Sequence, residues 1–188
     1  MTTTVTIGTS NNKKFSEMSQ ALEVQGITAL RADVDVDEIK DLDPEKVIRH
    51  KTISTYKELG VPVLVDDSGI FFERYTQFPG TYSKFAFQTL GYDGLFALVK
   101  EGDRALFKTV VGYMDDTLSE PQIFSGEYPG KITSDFDWSI QSEMPYAIMF
   151  IPDDATKPMS MLTPEERKND HRHTALNAFV EWFVTHSS

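Results

Sequence analysis

Three β-rich apolar segments alternate with two helical ones near the start of the chain, and that alternation restricts the fold more than any other feature. Residues 2–10, 27–34 and 61–67 read as strands. Between the first two, residues 11–26 place Phe15, Met18 and Leu22 on one helical stripe, and Gly26 suits a C-cap. The second helix follows Asp43-Pro44, an N-cap and a first-turn proline, and stops at Gly60. A strand–helix–strand–helix–strand order predicts an α/β fold with a partly parallel sheet. Beyond it, residues 68–91 read as a strand or turn that continues through a Pro79-Gly80 turn. Residues 92–102 read as a short helix, 104–116 and 119–133 as two antiparallel strands, and 146–152 as another strand. A last helix is expected over 163–186. Thr163 is its cap, Pro164 and Glu165 start it, and Ala175, Phe179 and Phe183 repeat at a spacing of four. No linker, repeat or low-complexity tract divides the chain, so residues 1–188 are expected to form a single domain.

Composition excludes several classes of function. A chain of 188 residues with 40% apolar and 12% aromatic content can bury a sizeable core. No apolar run approaches the length of a membrane span, and the first residues lack the basic and apolar regions of a secretory signal. With no cysteine, disulfides and thiolate metal sites are impossible; this fits a reducing, cytoplasmic setting. The net charge of −11 argues against binding long nucleic acid. A phosphorylated small molecule remains possible, provided that Lys and Arg cluster locally or a divalent ion bridges carboxylates and phosphates.

The most informative stretch is Val61–Glu73, "VPVLVDDSGIFFE", in which an apolar strand leads into Asp66 and Asp67. Neighbouring carboxylates repel and resist desolvation. At the carboxyl end of a strand, where α/β ligands collect, such a pair suits a metal ligand and a general base acting on water. The bland alternative is a turn in which Asp66 caps Gly69. The small polar residues after the first strand, Thr9, Ser10 and Asn11, followed by Lys14, suit phosphate at a helix N-terminus. Alone they read more readily as an ordinary cap with solvated lysines, because this is not a Walker loop. The acidic loop 33–43 lacks the glycine and spacing of an EF-hand. Lys84 after the Pro79-Gly80 turn, and Arg167, Lys168, His171 and Arg172 before the last helical stripe, form two further cationic groups. Cations at a helix start oppose the macrodipole, so they make most sense beside an anion. The histidines show no metal-ligand spacing.

In this order the motifs resemble the inosine triphosphate pyrophosphatase family, which hydrolyses aberrant purine nucleoside triphosphates. The family's Thr-Gly-Asn-x-x-Lys loop is matched by Thr9, Ser10, Asn11 and Lys14. Its helix lysine is matched by Lys51, and its Glu/Asp-Asp-Ser/Thr-Gly strand by Asp66, Asp67, Ser68 and Gly69. Residues 79–85 and 124–132 resemble its Pro-Gly-x-Tyr-Ser and Phe-x-Gly segments. Residues 163–176 are similar to its terminal helix, where Arg167 or Lys168 takes a lysine's place. The resemblance implies a long twisted mixed β-sheet with flanking helices and two lobes around a central cleft, in a homodimer. It implies that Lys14, Lys51, Lys84, His171 and Arg172 hold the phosphates, with Thr9, Ser10, Asn11, Ser68, Tyr146 and Lys168 completing the substrate contacts. It further implies Mg²⁺ on Glu38, Asp66 and Asp67, with Asp67 and Lys14 as catalytic residues and Asp67 acting on the water.

The departures gather in the base-recognition segment. Met144, Pro145 and Ala147 stand where the family has Phe, Gly and a base-reading Asp, and only Tyr146 survives. Losing a hydrogen-bonding side chain relaxes or redirects specificity. Trp138, Trp182 or Phe136 is a candidate replacement stacking surface. Three alternatives follow: the same chemistry on another base, a non-catalytic nucleotide-binding protein, or an α/β domain whose charges are only solvated.

Overall fold

Strand β1 (Thr4–Gly8) lies beside β2 (Thr28–Ala32) in parallel register, Thr4 opposite Thr28 and Gly8 opposite Ala32. The structure is a computed structural model in which residues 4–137 and 144–186 are described. Between the strands, α1 (Asn12–Glu23) starts where the Asn11 side chain accepts bonds from the Lys13 and Lys14 backbone N–H groups. Helix α2 (Pro44–Leu59) starts on the Asp43 cap and ends at Gly60, whose φ of 64° is left-handed. It leads into β3 (Val63–Phe72), which is parallel to β1 at only two positions, Thr6 opposite Val63 and Ile7 opposite Leu64. The remaining strands, β4 (Arg104–Met114), β5 (Gln122–Ile132) and β6 (Phe150–Pro152), add antiparallel, giving the order β2-β1-β3-β4-β5-β6. The expected α/β fold with a mixed sheet is therefore present.

Helix α1 and the last helix, labelled α5 below, bury Met18, Leu22, Ala175, Phe179 and Phe183 against Val5, Ile7, Leu64 and Val111. Helix α2 packs Ile48 against Val65 and Val110 on the other face. A further apolar cluster joins the far halves of β3, β4 and β5 to α3 (Ser83–Leu98), α4 (Pro145–Ile148) and the loop helix near Met159. Burying these clusters is the main driving force for the fold.

Four expectations need correction. The strand carrying Asp66 and Asp67 does not end there: β3 continues to Phe72 because β4 pairs with it at ten successive positions, Val63↔Met114 to Phe72↔Ala105. No turn capped by Asp66 exists. Residues 83–90 are helical rather than part of a long turn, and α3 kinks at Gly91, where φ is 59°. Residues 146–148 form the one-turn helix α4, which Pro145 starts and the Tyr146 hydroxyl pins by donating to Ser83 O at 2.9 Å. The last helix, α5 (His171–His186), begins seven residues after Pro164. Thr163 and Glu166 do exchange the two bonds of a capping box, but only turns follow. The cap that propagates is Asp170, whose Oδ1 accepts from the Arg172 and His173 N–H groups at 3.0 Å each.

Gly69 shows why small residues follow the acidic pair. A Cβ there would lie 2.2 Å from Gly80 O, so the Pro79-Gly80 turn can rest on β3 only if residue 69 has no side chain. Ser83 fixes the same junction, accepting from Ile70 N at 3.0 Å and donating to Gly80 O at 2.6 Å. Gly69→Ala is expected to destabilise the protein by about 1–3 kcal/mol through this backbone clash, measured by urea unfolding with an unchanged slope.

Candidate active site

Past Leu64, β3 runs on without β1 beside it, and a cavity of about 530 Å³ opens there. The β1–α1 junction contributes Asn11, Lys13 and Lys14, and β3 contributes Asp67 to Ile70. From α3 come Ser83, Lys84, Phe87 and Gln88, and from β4 comes Phe107. Met144 to Ala147 and the first two residues of α5, His171 and Arg172, close it. Its lining combines the cations Lys13, Lys14, Lys84 and Arg172 with the aromatic side chains Phe87, Phe107 and Tyr146.

Successive side chains of a strand point to opposite faces, so Asp66 and Asp67 occupy different environments. Asp66 is buried under α1 and α5. Its Oδ1 lies 3.2 Å from Lys14 Nζ, and its Oδ2 accepts from Arg172 Nε at 3.3 Å. Burial disfavours the Asp66 carboxylate, but Lys14, Arg172 and Lys51 outweigh it and hold its pKa well below the usual range. Asp67 lines the cavity, and among the described residues its carboxylate has no hydrogen-bond partner. Burial raises its pKa; Lys14 and Lys51 oppose the rise, while Asp66 and Glu38 add to it. The net result is a carboxyl group more basic than an ordinary aspartate.

Lys51, from α2, bridges this region. Its Nζ is 2.7 Å from Glu38 Oε1 and donates to Asp66 O at 3.4 Å. Burial opposes the Lys51 charge, but the Glu38 hydrogen bond and charge raise its pKa. Burial likewise works against the Glu38 carboxylate, and Lys51 lowers its pKa. At the start of α5, Arg172 also pairs with Glu17 and donates to Ser68 Oγ at 3.2 Å. His171 Nδ1 is 2.5 Å from Thr109 Oγ1, and its ring stacks on Phe107 at 5.1 Å and 14°. Burial pulls the His171 pKa down to about 3, so the ring is neutral near pH 7.

Asn11, Lys14, Asp67, Ser68, Lys84, Tyr146, His171 and Arg172 therefore converge on one cavity. Asp66, Lys51 and Glu38 adjoin it through the contacts above. Thr9 accepts from Asn11 N at 3.2 Å, and the backbone of Ser10 is held by Arg31 at 2.7 Å, so both shape the loop. Lys168 is not brought in: it is exposed and pairs with Glu165 at 2.7 Å, because the turns before α5 carry it away. Arg167 sits 3.7 Å from Glu17. As for the stacking surface, Trp182 packs in the core beside Tyr113 and Phe124, and Phe136 packs on Tyr92 and Phe96. Trp138 lies outside the described residues. Among the described residues, the phenyl and phenol rings that line the cavity are those of Phe87, Phe107 and Tyr146.

Sequence reading missed Glu17, Phe87, Phe107 and Thr109. Glu17 follows Lys14 by three residues on α1, and Phe87 follows Lys84 by three on α3, so helical spacing carried both signals. Nothing local distinguishes Phe107 and Thr109 within an apolar strand.

The model of the Ham1 family matches residues 5–182. The chain belongs to the Ham1 family. It is 34% identical over 182 residues to a dITP/XTP pyrophosphatase of Methanopyrus kandleri, covering 95% of each chain. It is also 34% identical over 179 residues to a dITP/XTP pyrophosphatase of Methanosarcina mazei, covering 94% of this chain and 95% of that one. A solved structure of a HAM1 protein from Coxiella burnetii superimposes with a TM-score of 0.78 at 21% identity, covering 97% and 99% of the two chains. The family resemblance read from the motifs is thus borne out, and the fold with it.

Asp66→Asn leaves Arg172 and Lys14 beside a neutral group and is expected to cost about 3–5 kcal/mol at pH 7. The native pKa of Asp66 lies below its unfolded value of about 3.9. Its stabilisation is therefore present above about pH 4 and is lost as pH falls through the native pKa. The gap between wild type and variant in urea unfolding should narrow below pH 4.

Proposed function

We propose that this protein hydrolyses non-standard purine nucleoside triphosphates (ITP, dITP and XTP) to the monophosphate and pyrophosphate, with Mg²⁺. The observation that carries the reading is the juxtaposition, in one cavity, of the unpartnered Asp67 carboxylate with Lys13, Lys14 and Lys84 and with an aromatic wall. Lysines suit a triphosphate, and Phe87, Phe107 and Tyr146 suit a base. The relatives named as dITP/XTP pyrophosphatases support the substrate class.

The donor set fits magnesium, which takes hard oxygens and is commonly held by one or two carboxylates together with substrate phosphates. Among the described residues no three acidic or histidine side chains converge as a complete metal site. Asp67 and Glu38 would hold the ion, leaving the phosphates to complete its coordination. Asp66 is better suited to another task, since both of its oxygens already face cations. Bound there, the ion would supply positive charge to offset that of the phosphates.

In this reading Asp67 takes the proton of the attacking water, which its place on the cavity wall allows. Lys14, steered by Asp66, and Lys84 bind phosphate oxygens, and Arg172 and Lys51 keep the surrounding carboxylates in place. Positioning and charge neutralisation supply most of the rate. A homodimer in the cytoplasm completes the proposal. Among the described residues no helix is long and apolar enough to cross a membrane.

Asp67→Asn is expected to slow pyrophosphate release by about 10²–10⁴-fold; a rate near wild type would remove Asp67 as the base. The base works only when ionised, so kcat/KM should fall on the acid side as Asp67 becomes protonated. EDTA should abolish turnover and Mg²⁺ restore it. A second reading, the same chemistry on another base, is favoured by one observation: Met144, Pro145 and Ala147 put no ionisable side chain on their part of the wall. A triphosphate panel separates the two, with inosine and xanthosine nucleotides expected to lead by at least about tenfold. Binding without turnover across the panel would make this a nucleotide-binding protein instead.

A further inference from the structure

We infer that Thr109, on β4, is a positioning residue for this reaction: its hydroxyl donates to Nδ1 of His171 and so presents the Nε2–H of that ring to the nucleotide as a fixed donor. The inference rests on the reading of the cavity as the nucleotide site. Thr109 is fully buried and lies between two partners, Ser68 Oγ at 2.7 Å and His171 Nδ1 at 2.5 Å. The direction of the protons follows from what each group can do. Arg172 Nη2 only donates, so Ser68 Oγ accepts from it at 3.2 Å. Ser68 has one proton, with Asp66 Oδ2 at 3.4 Å and Thr109 Oγ1 at 2.7 Å as candidate acceptors. Asp66 is already supplied by Lys14 and by Arg172 Nε, so the shorter contact to Thr109 takes the serine proton. Thr109, having accepted, gives its own proton to His171. A neutral imidazole that accepts at Nδ1 carries its hydrogen on Nε2, the nitrogen left for the cavity that His171 lines.

The fold allows this contact at one glycine. A Cβ on Gly126 of β5 would come 2.2 Å from His171 O and 2.7 Å from Ala175 N. Without a side chain there, the start of α5 rests directly on the sheet, and His171 reaches Thr109 across β4. Phe107 holds the ring plane from one side. The ring is thereby fixed at a nitrogen and at a face before any ligand arrives, which is what a discriminating donor requires.

The Nε2–H recognises a hydrogen-bond acceptor, which is either a carbonyl of an oxo base or a phosphate oxygen. Histidine ¹H–¹⁵N spectra of the ligand-free protein, with the His171 signal assigned by its loss in His171→Gln, should show the Nε2–H tautomer. A signal from the Nδ1–H tautomer would overturn the inference. Thr109→Val keeps the shape without the hydroxyl and should lower kcat/KM on dITP or XTP by at least about tenfold, the equivalent of one hydrogen bond. Thr109→Ser should recover most of it. A folded Thr109→Val protein, checked by its unfolding midpoint, with wild-type kcat/KM would also overturn it. If the valine variant does not fold, the wild-type spectrum and the serine variant still decide. Inorganic tripolyphosphate as a competitor distinguishes the two acceptors: weaker inhibition of Thr109→Val assigns the bond to phosphate, and unchanged inhibition with weakened nucleotide binding assigns it to the base. A wild-type protein that releases no pyrophosphate would strike the proposed reaction alone, because the tautomer is read without substrate.

Discussion

One buried carboxylate organises the site. Asp66 lies in the middle of a sheet strand, where an unpaired charge would be prohibitively costly. Lys14 at the start of α1 and Arg172 at the start of α5 meet it from two helices. These contacts fix the helix starts relative to β3. They place His171 beside Arg172 over Phe107 and Thr109, and they hold Lys14 at the edge of the cavity. Cations at helix starts oppose the macrodipole. Here Asp66, Glu17 and the Asp170 cap supply the compensating negative charge, so Arg172 can remain buried without an external anion.

The neighbouring acid behaves differently because strand geometry puts it on the other face. Asp66 is held ionised by its cations, whereas burial and two nearby carboxylates make Asp67 more basic. Two acids adjacent in sequence thus titrate in opposite directions because of their environments, an arrangement that the proposed reaction would use as a fixed charge and a proton acceptor. The repulsion that "VLVDD" suggests is relieved chiefly by alternation and by Lys14, Lys51 and Arg172. A divalent ion is required by the proposed chemistry, not by the stability of the pair.

The strand–helix order made the parallel half of the sheet legible, because Asn11, Asp43, Pro44 and Gly60 mark helix ends by local chemistry. Residues of the DDSG and PGTYSKF stretches line the cavity. What local chemistry could not show was where elements continue. Beyond Asp67, β3 stays extended because β4 pairs with it over ten residues. The turns after Thr163 look like a helix start in sequence, yet the helix waits for Asp170 to cap it. Lys168 was misplaced for that reason. Thr109 and Phe107 were invisible because their role exists only when α5 packs across β4.

The charge pattern connects these features to substrate choice. The chain carries a net charge of −11, so its overall field repels a polyanion. Attraction must be local, and the cavity supplies it with Lys13, Lys14 and Lys84. Arg172 and Lys51 do not add freely to that attraction, because Glu17, Asp66 and Glu38 already neutralise them. A neutral His171 donor in such a site contributes direction rather than charge. Cations alone would bind any triphosphate with little regard to its base. Discrimination then falls to groups that a wrong partner leaves unpaired at a real cost. With Ala147 apolar and Met144 in contact with Lys13 Nζ at 2.9 Å, the inferred His171 Nε2–H is a buried donor that would add such discrimination where its acceptor lies on the base.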